Sequence, residues 1–270
     1  MAGFEIFDGD IRDADAVERA LEGVDTVVHL AAYGSVAESV QDPFANFDVN
    51  VRGTLVLLHA AAAAGVERFV FASTGGAIMG NTPPPVDEAT LPWPISPYGA
   101  SKLCGEAYCH AFAGSFGLSV VALRFANIYG PFSEHKKGAV TNFIKRALAG
   151  EPLVIYGDGS ATRDFLYVDD LCSGIVATLD ASLRDDVIHL ASGAETSINE
   201  LAHLVLELTG APDTPIRYED RRRGEIEQTF ATYDRAADVL GFEPRYSLEE
   251  GLRKTVEWFR TRESAAIPLR

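Results

Sequence analysis

Short apolar runs alternate along the chain with longer segments in which apolar residues recur at helical spacing. The runs at residues 25–32, 68–74 and 119–126 predict buried strands, and the segments at 43–64 and 98–116 predict helices between them. Strands that alternate with helices form parallel sheets, because each helix carries the chain back across one face of the sheet. The first half of the chain therefore predicts an α/β fold with a parallel sheet.

Weaker signals extend this pattern toward both ends. Residues 4–7 are β-prone and predict a first strand, and Asp13 predicts the start of a helix that Gly23 ends. Past residue 127 the alternation loosens, and capping-box sequences beginning at Ser197 and Ser247 predict two more helix starts. The other elements predicted there are a helix at 139–149, strands at 153–156, 163–168 and 187–191, and a helix from Asp169. We expect a second, smaller unit of mixed α/β structure.

Composition narrows the choice of partners and compartment. The 270-residue chain has a formal net charge of −16, which repels nucleic acids and anionic membranes. No apolar run is long enough to span a bilayer, and the first residues lack the basic and apolar regions of a signal peptide. Cys104, Cys109 and Cys172 have no metal-type or paired spacing, and His29 has no second ligand nearby in the sequence. We therefore expect a cytoplasmic protein with reduced thiols and no metal.

Tyr98 and Lys102 carry the clearest chemical signal. They lie four residues apart on the predicted helix at 98–116 and so share one face. A nearby ammonium stabilises a phenolate, so we expect Lys102 to lower the pKa of Tyr98 and let it act as a base. The preceding predicted strand ends in Ser73 and Thr74, whose hydroxyls can bridge a substrate oxygen and the phenol. The alternative is a solvated helix face, because this spacing is common in helices.

These residues belong to a series of ordered motifs that runs from about residue 4 to residue 259. The series consists of Gly9-Asp-Ile11, His29-Leu-Ala-Ala32, Asn50-Val-Arg-Gly-Thr54, Ala72-Ser-Thr-Gly-Gly-Ala77, Ser96-Pro-Tyr98 with Lys102, Leu123-Arg-Phe-Ala-Asn127, Ile128-Tyr-Gly-Pro131, Tyr156-Gly-Asp-Gly159, Arg163-Asp-Phe165, Tyr167-Val-Asp-Asp170 and Gly224-Glu225. Because of this series of motifs, the chain resembles the extended short-chain dehydrogenase/reductase superfamily. Within that superfamily it is most similar to NAD-dependent nucleotide-sugar epimerases of the UDP-glucose 4-epimerase type.

The resemblance implies an architecture of two domains. The first is a Rossmann-type doubly wound parallel sheet, incomplete at its N-terminus, formed by residues 1–127 and 163–192. The second is a smaller mixed α/β domain for the nucleotide-sugar substrate, formed by residues 128–162 and 193–270. A homodimer is also implied, through a four-helix contact that uses the predicted helices at 43–64 and 98–116.

The resemblance also implies roles for individual residues. Thr74, Tyr98 and Lys102 match the catalytic positions, and NAD is the implied cofactor. The positions that match cofactor contacts are Asp10, Ile11, Leu30, Ala31, Ala32, Asn50, Ser73, Tyr98, Lys102 and Phe125. The positions that match contacts with a UDP-sugar are Thr74, Asn127, Val140, Val154, Tyr156, Arg163 and Arg222.

Some of these roles have alternatives in the residues themselves. Ser73 can take the place of Thr74, because the stretch is one residue longer than in some relatives. Arg163 can pair with the adjacent Asp164, Arg222 lies in an exposed-looking run of three arginines, and Tyr156 ends an apolar strand as many core residues do. These alternatives stay open at the level of sequence.

Gly75 and Gly76 favour one reaction class over another. Related sugar 4,6-dehydratases resemble one another in an Asp-Glu pair directly after the catalytic Thr, because elimination of water needs an acid and a base. Two glycines supply neither. The implied reaction is epimerisation at C4 of a UDP-glucose or UDP-galactose type of substrate through a transient 4-keto intermediate. UDP-glucuronate is an alternative substrate, and a non-catalytic nucleotide-sugar-binding protein is an alternative function.

The glycine-rich phosphate loop of doubly wound folds is not found before Gly9. A misassigned start, a fragment and a real truncation are the competing explanations. We expect this 270-residue form to bind NAD weakly or not at all, to lack epimerase activity and to be poorly soluble. We also expect the strand at 25–32 to be an open sheet edge, with residues 4–7 either paired to it or unpaired.

Overall fold

The structure, a computed structural model, describes residues 4–265. The helices in that range are α1 (Ala14–Ala20), α2 (Val36–Gln41), α3 (Pro43–Phe47), α4 (Gly53–Ala64), α5 (Pro97–Phe116), α6 (Ala139–Leu148), α7 (Val168–Asp180), α8 (Ile198–Thr209), α9 (Asp234–Leu240) and α10 (Leu248–Ala265). The strands are β1 (Thr26–His29), β2 (Arg68–Thr74), β3 (Ser119–Phe125), β4 (Asn127–Tyr129), β5 (Leu153–Tyr156), β6 (Thr162–Arg163), β7 (Phe165–Tyr167), β8 (Asp186–Leu190), β9 (Thr196–Ser197) and β10 (Ile216–Glu219).

Four parallel strands form the main sheet in the order β1-β2-β3-β8. The last residues of neighbouring strands are in register, with Thr74 opposite Phe125 and Phe125 opposite Leu190. The carboxyl ends therefore lie along one edge, which is where ligands bind in open α/β sheets. The predicted α/β class with a parallel sheet is confirmed.

The sheet is buried on both faces because successive side chains of a strand point to opposite sides. Phe69 and Phe71 of β2 pack with Leu58 of α4 and Phe112 of α5 on one face. Val70 packs on the other face in a cluster whose further members include Leu123, Leu171, Ile188 and Phe242. A separate core joins α6, α8 and α10 beyond residue 128. The division of the chain into two domains at the boundaries given above stays a prediction.

Residues 4–7 differ most from the sequence prediction. They form no strand, and Phe4 and Ile6 are 84% and 81% exposed. The predicted strand is wrong, because a β-prone run becomes a strand only where a neighbour completes its hydrogen bonds. Within the described part of the chain β1 pairs with β2 alone, so the expected open edge is confirmed.

Other ends of helices and strands agree with the sequence prediction only in part. Gly65 ends α4 with φ of 75°, as its stop signal predicts, but the helix predicted at 43–64 is interrupted by a π-helical turn at Asp48–Arg52. Both capping boxes are present, at Ser197 and at Ser247. The sequence prediction missed β10, which pairs with β5 although its alternation is weak.

Gly105 permits the close approach of α5 to β2. A Cβ atom at this position would lie 2.4 Å from Cζ and 2.9 Å from Cε1 of Phe71. We expect Gly105→Ala to lower the free energy of unfolding by about 1–3 kcal/mol, the usual cost of overpacking a core. Urea denaturation measures the change.

The matched control is Gly114→Ala on the same helix, where nothing lies within 4 Å of the added methyl group. Alanine has the higher helix propensity, so this variant should gain up to about 1 kcal/mol. Equal effects of the two substitutions would show that α5 does not pack on β2 as described.

Candidate active site

Tyr98 and Thr74 meet where the end of β2 faces the first turn of α5. The side chain of Ser96 caps this helix by accepting a hydrogen bond from the backbone N–H of Gly99 at 3.1 Å. The backbone N–H of Tyr98 donates to Oγ of Ser39 at 3.1 Å, which fixes the turn against α2. The hydroxyl of Thr74 lies close enough to the phenol of Tyr98 to favour its ionised form. The structure thus brings together two of the three residues predicted to be catalytic.

The protonation of the pair differs from the sequence prediction. Burial raises the pKa of Tyr98 to about 12, and the nearby hydroxyl of Thr74 opposes this rise only in part. The ammonium of Lys102 donates to the carbonyl oxygen of Ala72 at 2.7 Å and lies 4.9 Å from the ring centroid of Phe71. Burial lowers the pKa of Lys102 to about 8. The prediction that Lys102 lowers the pKa of Tyr98 is therefore wrong, because loss of hydration on burial dominates the pKa of this phenol.

Ser73 and Thr74 have different partners. Oγ of Ser73 donates to Oε1 of Glu106 at 2.5 Å, and Glu106 forms a buried ion pair with Arg124. Sequence reasoning missed Glu106 and Arg124. The available signal was spacing, because Glu106 follows Lys102 by one more helical turn on the same face.

The positions that match cofactor contacts lie near the carboxyl ends of the strands. Leu30 is 56% exposed after the end of β1, and Ala31 and Ala32 are exposed as well. The carboxylate of Asp10 accepts hydrogen bonds from the Arg12 guanidinium and backbone, which lowers its pKa to about 2. Leu30, Ala31 and Ala32 form an exposed apolar surface at the edge of the sheet. Such a surface fits the flat face of a dinucleotide.

Three further positions of the predicted cofactor set are packed rather than open. Ile11 packs on Gly53, where a Cβ would lie 2.7 Å from Cδ1 of Ile11. Phe125 ends β3 beside Thr74. Asn50 accepts from the backbone N–H of Tyr33 at 2.7 Å and donates to Oγ of Ser101 at 3.0 Å, so it braces α5.

The positions that match substrate contacts are more scattered. Asn127 is exposed and donates to the carbonyl oxygen of Asp164 at 3.1 Å. The guanidinium carbon of Arg222 lies 3.5 Å from the ring centroid of Tyr156, a cation–π contact. Val154 is partly exposed on β5. Val140 is only 6% exposed and belongs to the core around α6, and its contact with the UDP-sugar stays a prediction.

Arg163 does not pair with its neighbour Asp164. Its guanidinium donates to the carbonyl oxygen of Thr162 at 2.6 Å, and burial lowers its pKa. The carboxylate of Asp164 instead accepts hydrogen bonds from Ser192 and Gly193. Arg163 therefore has no carboxylate within salt-bridge distance among the described residues, which leaves its charge available to an anion.

Gly75 and Gly76 are closely packed beside Thr74, so that a side chain at either position would require its neighbour to shift. A Cβ on Gly75 would lie 3.0 Å from Nδ1 of His189, and a Cβ on Gly76 would lie 3.2 Å from Oγ1 of Thr229. Both neighbours are buried. The wall next to Thr74 is therefore formed without the acid and base that elimination of water requires.

Comparison with known proteins decides the family. The model of the NAD dependent epimerase/dehydratase family matches residues 2–191, which include Thr74, Tyr98 and Lys102. This chain belongs to that family. A UDP-glucose 4-epimerase of Mycolicibacterium smegmatis is 38% identical to it, over 96% of this chain and 84% of the relative.

Solved structures of the NAD dependent epimerase/dehydratase family agree with the fold described here. A UDP-glucose 4-epimerase of Thermotoga maritima, determined with UDP-glucose, has a TM-score of 0.91 and 39% identity, covering 94% of this chain and 84% of its own. A UDP-glucose 4-epimerase of Thermus thermophilus, determined with NAD, has a TM-score of 0.90 and 37% identity, covering 96% of this chain and 86% of its own. The predicted resemblance and the Rossmann-type doubly wound fold are confirmed, and the chain is a member of a family of NAD-dependent nucleotide-sugar enzymes.

No helix within residues 4–265 is long and apolar enough to cross a membrane. Over the same range no group of three or more His, Cys, Asp or Glu side chains is placed to hold a metal ion.

Proposed function

We propose that this chain epimerises a UDP-sugar at C4, with NAD as cofactor. The observation that carries the proposal is the position of the Thr74 hydroxyl beside the Tyr98 phenol, one helical turn from Lys102 and next to Gly75 and Gly76. That set can move a proton at a sugar hydroxyl and contains no second acid or base for elimination.

Tyr98 takes the proton from the C4 hydroxyl in this proposal, and Thr74 bridges the sugar oxygen and the phenol. Removing that proton requires the pKa of Tyr98 to fall from the value that burial imposes. Lys102, with a pKa of about 8, is the cation nearest along the helix and is mostly charged at neutral pH. NAD, when bound, would reversibly accept a hydride from C4. Leu30, Ala31 and Ala32 would lie along it.

The nucleotide end of the substrate would lie near Arg163, Arg222 and Tyr156, with Asn127 and Val154 beside them. Guanidinium groups bind diphosphates in a planar, bidentate fashion, and here they offset an overall charge of −16. Arg222 covers one face of Tyr156. A nucleobase that stacks on that face would have to displace it.

The test is an assay of the purified chain with NAD and UDP-galactose, followed by separation of UDP-glucose from the starting sugar. UDP-glucuronate and the N-acetyl counterparts are assayed in parallel to find the preferred sugar. Calorimetric titrations of NAD and of UDP-sugar accompany the assay. Tight binding of NAD together with turnover would contradict the expectation, drawn from the sequence, of weak NAD binding and no epimerase activity. Binding of UDP-sugar without conversion would favour the non-catalytic binding protein, and absence of both would contradict the proposal.

We further propose that the protein forms a homodimer through α5 and the helical segment from α3 to α4. Phe44, Phe47 and Phe116 are large apolar side chains of these helices that are 84%, 58% and 60% exposed. Burial of such side chains favours association. Sedimentation equilibrium should give twice the chain mass of 29.1 kDa at micromolar concentration, and a monomer there would contradict the proposal.

A further inference from the structure

Three side chains of α5, spaced one helical turn apart, each face one of three consecutive residues at the end of β2. Lys102 donates to the carbonyl oxygen of Ala72 at 2.7 Å, and Glu106 accepts from the hydroxyl of Ser73 at 2.5 Å. The phenol of Tyr98 faces the hydroxyl of Thr74. The helix that carries the proposed base is thus attached residue by residue to the strand that carries its partner.

Glu106 is itself fixed from a third element. Nε of Arg124 on β3 donates to Oε1 of Glu106 at 3.0 Å, and Nη2 donates to Oε2 at 2.9 Å. The side chains of Arg124 and Glu106 are 5% and 7% exposed, so this bidentate pair is out of water. Breaking one partner of such a pair leaves a buried charge unpaired, which is strongly unfavourable. The carboxylate is therefore held in one position.

This arrangement determines which hydroxyl can serve the substrate. A carboxylate only accepts hydrogen bonds, so the hydroxyl hydrogen of Ser73 points to Glu106 and is not available to a sugar oxygen. The hydroxyl of Thr74 faces Tyr98 instead. The choice that the sequence leaves open between the two hydroxyls is thereby made in favour of Thr74.

Glu106 is the main hydrogen-bond and ion-pair partner of Arg124. Nη1 of Arg124 has no hydrogen-bond partner among the described residues, and neither do the ring nitrogens of the buried His189 beside it. Cys109 on α5 is a further titratable group that faces Glu106. No second carboxylate is paired with Arg124 in the described part of the chain.

We propose that Glu106 is a positioning residue, which holds Ser73 and so sets the alignment of Thr74 with Tyr98. The effect of Glu106 on turnover rests on the proposed function, whereas its effect on the ionisation of Tyr98 does not. Loss of the Ser73–Glu106 bond removes one of the side-chain contacts that hold the end of β2 against α5, and the Thr74 hydroxyl is then less well placed toward the oxygen of Tyr98.

The test replaces Tyr98 by 3-fluorotyrosine, whose fluorine resonance reports ionisation of the phenol, and follows its titration in the full chain. Glu106→Gln and Ser73→Ala should each raise the titration midpoint by about half a pH unit to one unit, the equivalent of one hydrogen bond. The double variant should shift it no further than the larger single change, because both substitutions remove the same contact. His110→Gln, one turn farther along α5 on an exposed side chain, should leave the midpoint unchanged.

An unchanged midpoint in both Glu106→Gln and Ser73→Ala would overturn the proposal, even if the variants melt at a lower temperature. If Glu106→Gln fails to fold because Arg124 is left unpaired, Ser73→Ala decides alone, since it keeps the ion pair intact. In the epimerase assay Glu106→Gln should lower kcat about tenfold with KM for the UDP-sugar within about twofold. If the wild type shows no turnover but the two variants still shift the titration midpoint, the positioning role of Glu106 is supported and the proposed function is contradicted.

Discussion

Tyr98→Phe is expected to lower the kcat for UDP-sugar epimerisation by about 10²–10⁴-fold, the usual contribution of a positioned acid or base. The phenyl ring keeps the shape of the site but has no oxygen to take the proton from the C4 hydroxyl. Affinity for UDP-sugar should stay within about threefold, because the nucleotide end is bound elsewhere. Initial rates give kcat, and calorimetric titration of UDP-sugar gives the affinity.

Tyr108→Phe is the matched control, since Tyr108 lies on the same helix and packs against the core of the sheet rather than against Thr74. Its turnover should equal that of the wild type. Near-normal turnover by Tyr98→Phe would show that Tyr98 is not the base. An equal loss in both variants would instead indicate damage to α5.

Acid is expected to destabilise the fold steeply below pH 6.5. Burial is the main reason that the pKa of His29 and of His189 falls from 6.5 to about 3, with Lys102 and Arg124 as the respective nearby charges. Between these pH values the unfolded chain binds two protons that the folded chain does not. The free energy of unfolding should therefore fall, as pH falls, by about 1.4 kcal/mol per pH unit for each histidine.

Urea denaturation at several pH values between 7 and 4 measures this slope. His189→Leu removes one of the two histidines and should reduce the slope by about 1.4 kcal/mol per pH unit. The imidazole of His189 has no hydrogen-bond partner among the described residues, so the substitution breaks no such bond there. His59→Gln, on an exposed position of α4, should keep the wild-type slope. A slope unaffected by His189→Leu would show that His189 is hydrated or already charged in the folded state.

The sequence determined the elements whose signals are local. The strand β2 begins and ends at the predicted residues, Arg68 and Thr74, because a continuous β-branched and aromatic run lies between polar boundaries. Asp13, Ser197 and Gly65 begin or end helices as predicted, since capping depends on neighbours a few residues away. The ordered motifs likewise identified the family, and the spacing of Tyr98 and Lys102 identified the helix of the candidate site.

Tertiary structure decided what depends on residues distant in the chain. Residues 4–7 have the composition of a strand and no neighbour to pair with among the described residues, whereas β10 has a weak pattern and gains one in β5. Burial, which no spacing encodes, raises the pKa of Tyr98 to about 12 and places Val140 in the core.

The distinction between Ser73 and Thr74 is the clearest case. Their side chains are adjacent in sequence and chemically alike, so sequence alone left both open as the hydroxyl of the site. Only the folded chain brings Glu106 from one helix and Arg124 from another strand to Ser73. A buried carboxylate must be satisfied by donors from elsewhere in the molecule, and that requirement, which is a property of the packed interior, leaves Thr74 to face Tyr98.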